Sequence, residues 1–262
     1  MCTTCGCGSE DAVVTGFEAV PEEGPGQAHH HHHHGEEAAP HVHADPTGRT
    51  IVLEQAILAK NDALADQNRS WFRDRGMLVI NLMSSPGSGK TTLLERTIRD
   101  LAGEFPLAVV EGDQETLLDA NRIRAAGARV VQINTGSGCH LDAGMVSRSL
   151  EVLAPEERSV LLIENVGNLV CPALFDLGER AKVVIMSVTE GHDKPLKYPQ
   201  MFRAGELMVI NKVDLVPYVN FDVEQCITYA RQINPKLEVV TVSATRGDGL
   251  DGWYDWLRAQ RL

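Results

Sequence analysis

Short apolar runs recur through most of the chain, and stretches with a helical pattern separate them. Each run is apolar almost throughout rather than at alternate positions, which is typical of strands buried on both faces of a sheet. Strands of this kind that alternate with helices predict an α/β fold in three layers, with helices on both sides of a mostly parallel sheet. The predicted strands are 77–83, 107–112, 128–133, 159–165, 182–188, 206–212 and 238–244.

A helical pattern precedes the first strand, between Thr50 and Phe72. Leu53, Ile57 and Leu64 recur there at spacings that place them on or near one face, and alanine is frequent. Gly76 is the expected stop signal. We expect this helix to pack on the domain that follows, although a coiled-coil dimer is an alternative.

The first 48 residues have a different character. They are rich in Pro, Gly, Glu and His, show no sustained apolar periodicity, and contain eight acidic residues but neither Lys nor Arg. Such a segment cannot bury enough apolar surface to offset its ordering entropy. We therefore expect a flexible, metal-binding tail over 1–48 and a single globular domain over 49–262.

Composition narrows the function classes. The chain of 262 residues is 43% hydrophobic, which excludes full-length disorder, and its formal net charge of −12 argues against nucleic acid as the main partner. No apolar run approaches the roughly 18–20 residues that span a bilayer. The start, MCTTCGCGSE, has no secretory signal pattern. We expect a soluble, cytoplasmic protein with no membrane partner.

A phosphate-binding loop follows the first predicted strand. The stretch 84–92 reads SSPGSGKTT and precedes a helix. Glycines there let backbone N–H groups turn towards the phosphates, and the helix N-terminus adds partial positive charge. Lys90 is predicted to reach the β- and γ-phosphate oxygens, and the Thr91 hydroxyl to bind Mg²⁺. The predicted contacts are Gly87, Ser88, Gly89, Lys90, Thr91 and Thr92.

A second motif predicts the base. Asn211, Lys212 and Asp214 form an N-K-x-D pattern at the end of a predicted strand. The Asp214 carboxylate can accept from both guanine N1–H and the 2-amino group, whereas adenine would leave it unpaired. Lys212 is expected along the base plane and Asn211 as a brace for the loop. Ser243 and Ala244 end the last strand and match a further element that contacts guanine O6.

Two acidic positions end other predicted strands. Asp113 and Glu164 can bind Mg²⁺, directly or through water, or orient the water that attacks GTP. Asp113 has an alternative structural role as a helix cap. Together with Lys90, they are the predicted catalytic residues.

A soft-metal site is predicted on two further loops. Cys139 and His140 follow one strand, and Cys171 lies seven residues beyond Glu164. Two thiolates and an imidazole suit Zn²⁺ or Ni²⁺ with an open position. Since Cys171 follows the nucleotide-sensing region so closely, the nucleotide state is expected to alter metal affinity. Cys226 is interpreted as a small buried hydrophobe.

The N-terminus offers a third set of ligands. Cys2, Cys5 and Cys7 supply three sulfurs, and the α-amino group can add a nitrogen to give a planar site suited to Ni²⁺. The run His29–His34 is either an expression tag or a native metal buffer. Two further histidines nearby favour the native interpretation.

Taken together, these motifs resemble those of the hydrogenase nickel-incorporation GTPases, the HypB family. The resemblance rests on the first eight residues and on nearly the whole chain from Thr50 onward, including Ser84, which stands where the phosphate loop usually has its first glycine. The stretches that carry it are MCTTCGCG, NLMSSPGSGKTTLL, EGDQET, GSGCHLDAGM, ENVGNLVCP and INKVDL.

The resemblance implies a SIMIBI-class, P-loop GTPase that forms a homodimer and binds GTP or GDP with Mg²⁺. It implies a metal site at Cys139, His140 and Cys171, and a tight nickel site at the N-terminal cysteines. The implied partners are the nickel- and zinc-binding chaperone HypA, in some members the prolyl isomerase SlyD, and the large subunit of [NiFe]-hydrogenase.

We therefore expect slow GTP hydrolysis that controls nickel delivery, with Zn²⁺ as a second bound metal. The sequence identifies no arginine finger, which is consistent with slow turnover or with a contribution from another subunit. Two alternatives are a urease-type nickel accessory GTPase and a nickel-storage protein whose GTPase is vestigial.

Overall fold

The computed structural model describes residues 13–16, 49–113 and 118–261. The predictions that concern Cys2, Cys5, Cys7 and His29–His34 lie outside these residues. So does nearly all of the predicted tail. Within the described residues, no helix combines the length and apolar character needed to cross a membrane.

The described chain is built on one sheet of eight strands, in the order β1-β4-β3-β5-β2-β6-β7-β8. All neighbouring pairs are parallel except β1 and β4. The seven predicted strands are confirmed as β2 to β8. The strands are β1 Val13–Gly16, β2 Leu78–Ser84, β3 Leu107–Asp113, β4 Arg129–Asn134, β5 Val160–Glu164, β6 Ala181–Ser187, β7 Leu207–Asn211 and β8 Glu238–Thr241.

Helices cover both faces of the sheet, as the α/β prediction requires. The helix predicted before the first strand is confirmed as α1. The helices are α1 Arg49–Asp74, α2 Lys90–Leu101, α3 Leu118–Ala125, α4 Ala143–Leu153, α5 Lys194–Lys197, α6 Pro199–Ala204, α7 Val223–Ile233 and α8 Leu250–Gln260, with short 3₁₀ helices at Cys171–Ala173 and Val213–Tyr218.

Alternate residues of strands β2 to β7 supply the hydrophobic clusters on the two faces of the sheet. On one face, Ile80 and Leu82 pack in a cluster with Ile98 of α2 and Trp253 of α8. On the other, Val79 lies in a cluster to which α1 and α4 contribute. Successive side chains of a strand point to opposite faces, so an almost continuous apolar run serves both layers.

Strand β1 is an element that the sequence did not predict. It lies within the predicted tail and pairs antiparallel with β4, from Val13 opposite Asn134 to Gly16 opposite Val131. Four residues are too few to show a periodicity. The strand instead depends on the free hydrogen-bonding edge that β4 presents.

Candidate functional site

The phosphate loop connects β2 to α2, and two glycines set its path. Gly87 and Gly89 have φ angles of 74° and 94°, in the left-handed region that favours glycine. A Cβ at Gly89 would lie 2.5 Å from Nδ2 of Asn211. Any other residue at position 89 would therefore displace the loop or Asn211.

Lys90 and Thr91 begin α2 and point into the loop. The Lys90 Nζ donates to Ser84 Oγ at 2.9 Å, so the serine in place of the usual glycine supplies an acceptor for the lysine. The Thr91 Oγ1 donates to Glu164 Oε1 at 2.8 Å. Both side chains are buried.

The N-K-x-D loop is attached directly to the phosphate loop. Asn211 Nδ2 donates to the Ser88 carbonyl at 3.0 Å, and its Oδ1 accepts from the Ala244 amide at 3.1 Å. Lys212 Nζ donates to the Gly87 carbonyl at 2.6 Å. Asn211 thus connects the N-K-x-D loop to the phosphate loop and to the loop after β8.

An open cleft of about 490 Å³ lies beside the phosphate loop and the ends of β3 and β5. Lys212 contributes to its wall, whereas Asp214, Ser243 and Ala244 lie outside its lining. Asp214 is part of the 3₁₀ helix that follows Lys212. The predicted phosphate contacts other than Ser88 therefore line one cleft, and the predicted base contacts lie on the loops joined to it.

Buried carboxyl groups give the cleft its electrostatic character. Burial raises the pKa of Glu164 to about 7, and the neighbouring Lys90 opposes this rise. The pKa of Glu111 is raised to about 9, first by burial and then by the charge of Glu164. Oε2 of each glutamate is buried and has no hydrogen-bond partner. A bound cation would offset the free-energy cost of burying these oxygens without a partner.

The donor set at this end of the cleft fits Mg²⁺. Thr91 provides a hydroxyl, and Glu164 and Asp113 provide carboxylate oxygens, which are the hard ligands that Mg²⁺ prefers. Asp113 is half-buried in the cleft wall.

Sequence reasoning missed four residues with polar side chains that line the cleft: Glu111, Asp119, Arg122 and Asn165. A glutamate inside an apolar strand was an available signal for Glu111, which pairs in register with Glu164 across β3 and β5. Arg122 carried no local signal, because only the packing of α3 brings it to the cleft. It forms ion pairs with Glu95 at 2.9 Å and Asp119 at 3.0 Å.

The predicted soft-metal ligands come together on the other side of the sheet edge. The sulfurs of Cys139 and Cys171 lie 3.0 Å apart, and Cys139 Sγ lies 3.6 Å from His140 Nδ1. One ligand atom from each of the three residues lies within 4.8 Å of the others. Neither cysteine forms a disulfide, and both are partly exposed.

The imidazole of His140 is held in place by an aromatic neighbour. Its ring stacks on Phe175 with centroids 3.8 Å apart. Burial lowers the pKa of His140, which favours the neutral, metal-binding form. Cys226 differs from the other two thiols, because burial raises its pKa to about 12 and it packs within the core.

Comparisons with known proteins identify the family. The family model described as "CobW/HypB/UreG, nucleotide-binding domain" matches residues 78–241. The hydrogenase maturation factor HypB of Escherichia coli K12 is 49% identical over 288 residues, an alignment that covers all of this chain and 99% of that protein. The chain belongs to the HypB family.

Two further matches are to HypB from Helicobacter pylori, one to a crystal structure and one to a curated sequence. The crystal structure of HypB from H. pylori in complex with nickel has a TM-score of 0.74 and 40% identity, and the match covers 77% of this chain and 95% of that one. A curated relative from strain 26695, named hydrogenase/urease maturation factor HypB, is 39% identical over 213 residues, with 80% of this chain and 87% of the relative covered. The nucleotide-binding domain of this HypB family member thus includes both the cleft and the cysteine–histidine group.

Proposed function

We propose that the protein is a GTP-hydrolysing nickel metallochaperone, which binds nickel and zinc and delivers nickel to the large subunit of [NiFe]-hydrogenase. One observation carries this proposal: the phosphate loop and the group formed by Cys139, His140 and Cys171 lie on neighbouring loops of one sheet edge. The nickel complex of a HypB protein that is 40% identical adds support.

GTP is the proposed substrate at the cleft. The backbone N–H groups of the phosphate loop and the Lys90 ammonium stabilise the charge that develops on the γ-phosphate as water attacks in line. Thr91, Glu164 and Asp113 would hold Mg²⁺, which would neutralise part of that charge. Arg122 adds a positive charge at the cleft wall, where it forms ion pairs with Glu95 and Asp119 and also donates to Thr92 Oγ1 at 3.3 Å.

The proposed preference for guanine rests on Asp214. Asn211 fixes the start of the loop by bonding to Ser88 and Ala244, so the carboxylate two residues beyond Lys212 is carried on a rigid base. A carboxylate that accepts from both guanine donors rejects adenine, because it would then be left unpaired.

Nickel is the proposed cargo, bound by Cys139, His140 and Cys171, with Zn²⁺ as a competing occupant. Two thiolates and one imidazole suit both metals. The N-terminal Cys2, Cys5 and Cys7 form the proposed tight nickel site. A HypA-type chaperone, SlyD and a second copy of the chain are the proposed partners, and the cytoplasm is the proposed compartment.

The variant Lys90→Ala tests the proposal. We expect it to lower the GTP hydrolysis rate at least 100-fold, because the main cation facing the γ-phosphate is lost. Hydrogenase activity should fall with it in cells that express only this variant at limiting nickel. Lys60→Ala, which removes an exposed lysine on α1, is the matched control and should change neither quantity.

Full hydrogenase maturation by Lys90→Ala would contradict the proposal and favour a nickel-storage protein with a vestigial GTPase. The name of the H. pylori relative favours a second candidate, a role in urease maturation. Measuring urease and hydrogenase activities in the same deletion strain distinguishes the two, since a urease-type accessory protein would leave hydrogenase unaffected.

A further inference from the structure

A chain of buried amide and carboxyl groups joins the nucleotide cleft to two metal-bearing loops. The first metal-bearing loop carries the proposed ligands Cys139 and His140, and the second carries Cys171. Its central member is Asn165, which directly follows Glu164 and is 1% exposed. Asn165 Oδ1 accepts from the Leu141 amide at 3.1 Å, and its Nδ2 donates to Asn81 Oδ1 at 3.2 Å. Leu141 is the residue after the proposed ligand His140. The first of these hydrogen bonds therefore reaches the first metal-bearing loop.

The same chain of bonds continues towards the second metal-bearing loop. Asn81 Nδ2 donates to Glu179 Oε1 at 3.1 Å, and Glu179 Oε2 accepts from the Leu177 amide at 2.6 Å. Leu177 lies six residues after Cys171 and near Phe175, on which His140 stacks. Asn165 is thus connected through two further side chains to the segment that carries Cys171.

Adjacent residues at the end of β5 serve opposite faces of the sheet. Glu164 bonds to Thr91 on the nucleotide face, whereas Asn165 bonds to Asn81 and Leu141 on the face covered by α1 and α4. The Asn165 amide also extends the parallel pairing by donating to Leu82. Because the two residues share one peptide unit, a displacement of the backbone at Glu164 also moves Asn165.

Leu141 makes a second contact between the two sites. Its buried side chain packs against Gly112, which lines the nucleotide cleft, and a Cβ at position 112 would lie 2.8 to 2.9 Å from three of its carbons. The loop that carries Cys139 and His140 therefore rests directly on the wall of the cleft. Close-packed contacts of this kind transmit small displacements.

We propose that Asn165 is the positioning residue that couples nucleotide state to metal affinity, by holding the Leu141 amide and, through Asn81 and Glu179, the loop after Cys171. This inference rests on the proposed function, in which both sites are occupied. When GTP is replaced by GDP beside Glu164, Asn165 shifts. This shift alters the distance from Cys139 and His140 to Cys171. Nickel affinity then differs between the GDP and GTP states, and reciprocity requires nickel to alter nucleotide affinity by the same factor.

The experiment measures nickel protection of Cys139 from alkylation, by peptide mass spectrometry on the full chain. The readout is specific to this site, so nickel bound at other cysteines or histidines does not contribute. The free nickel concentration that protects half of Cys139 is measured once with GDP and once with a non-hydrolysable GTP analogue. We expect the two concentrations to differ at least about 5-fold in the wild type, and Asn165→Ala to bring their ratio to about one.

Asn68→Ala is the matched control. Asn68 donates to the Ala143 carbonyl at 2.9 Å and the Leu177 carbonyl at 3.1 Å, so it holds both metal-bearing segments from α1 without lining the cleft. Its loss is expected to weaken nickel protection equally with both nucleotides and to preserve the ratio. A purely structural role for Asn165 would give this same result.

Asn165→Asp keeps the acceptor for Leu141 but loses the donor to Asn81, and it is expected to reduce the ratio only in part. Thermal melting and GDP affinity establish that each variant is folded. A wild-type ratio above one that persists in Asn165→Ala overturns the inference and leaves the proposed function intact. Equal wild-type affinities overturn both the inference and the nucleotide control of nickel.

Discussion

At the scale of single residues, glycines decide how closely the functional loops approach one another. Gly89 allows Asn211 to reach the phosphate loop, and Gly112 allows Leu141 to lie against the wall of the cleft. Each glycine occupies a position where a Cβ would meet a side chain at less than 3.0 Å. The loops of the site can therefore approach this closely only because these two positions lack a side chain.

Gly112→Ala tests the close contact with Leu141. We expect the free energy of unfolding to fall by about 1–3 kcal/mol, because the added methyl overpacks a buried position. Urea denaturation measures the change. Gly103→Ala is the control, since nothing lies within 4 Å of a Cβ there and its φ is not positive. Equal stability of the two variants would show that Leu141 can move away freely.

At the scale of elements, α1 supports the loops that carry the proposed metal ligands Cys139, His140 and Cys171. Asn61 donates to the Asp176 carbonyl at 2.8 Å and accepts from the Ala143 amide at 2.9 Å. Asn68, two turns further along the helix, makes comparable bonds. Because these amides bond to backbone groups on both sides, the helix fixes the spacing of two segments that are distant in sequence.

Gly178→Ala is predicted to separate α1 from the loop after Cys171. Gly178 has a φ of 89°, and a Cβ there would lie 2.7 Å from the Ala65 carbonyl and from Asn68 Cβ. Gly127→Ala is the matched control, because its φ of 107° carries the same kind of backbone strain but nothing lies within 4 Å. Strain alone costs about 1–2 kcal/mol.

We therefore expect Gly178→Ala to lower the melting temperature more than Gly127→Ala and to weaken nickel protection of Cys139, which Gly127→Ala should leave unchanged. GDP affinity should be kept by both variants. Similar behaviour of the two variants in both assays would mean that α1 does not determine the position of the metal-bearing loops.

At the scale of the whole molecule, one sheet edge serves two chemistries. The parallel order β4-β3-β5-β2 brings the ends of four strands together, and ligands of such sheets bind in the loops beyond those ends. Glutamates face the nucleotide side of this edge, and thiols and an imidazole lie on the loops of the other side. In the proposed function, the N-terminal cysteines bind nickel independently of this sheet edge.

Deletion of residues 1–12 tests that division. It retains β1, which begins at Val13 and pairs with β4, so the sheet is expected to keep its stability. We expect the deletion to remove the tightest nickel binding, measured by competition with a chelator, and to leave nickel protection of Cys139 unchanged. Cys139→Ala should retain the tightest nickel binding in the chelator assay. Loss of Cys139 protection in the deletion would show that the two sites depend on each other.

The sequence by itself determined the features whose signals are local. The apolar runs predicted β2 to β8, and the spacing of Gly87, Gly89 and Lys90 predicted the phosphate loop, because these patterns depend on near neighbours in the chain. The grouping of Cys139 with Cys171 followed from their place after strand ends, although only the structure gave the 3.0 Å between their sulfurs.

Only the tertiary structure decided the features that arise from pairing between distant segments. The strand order places Glu111 beside Glu164, the packing of α3 brings Arg122 to the cleft, and the edge of β4 orders Val13–Gly16. The bond from Leu141 to Asn165 spans 24 residues of sequence. Such contacts produce no periodic pattern in the sequence. Each depends on how two distant elements pack together, and the residues next to either partner in the chain do not reveal it.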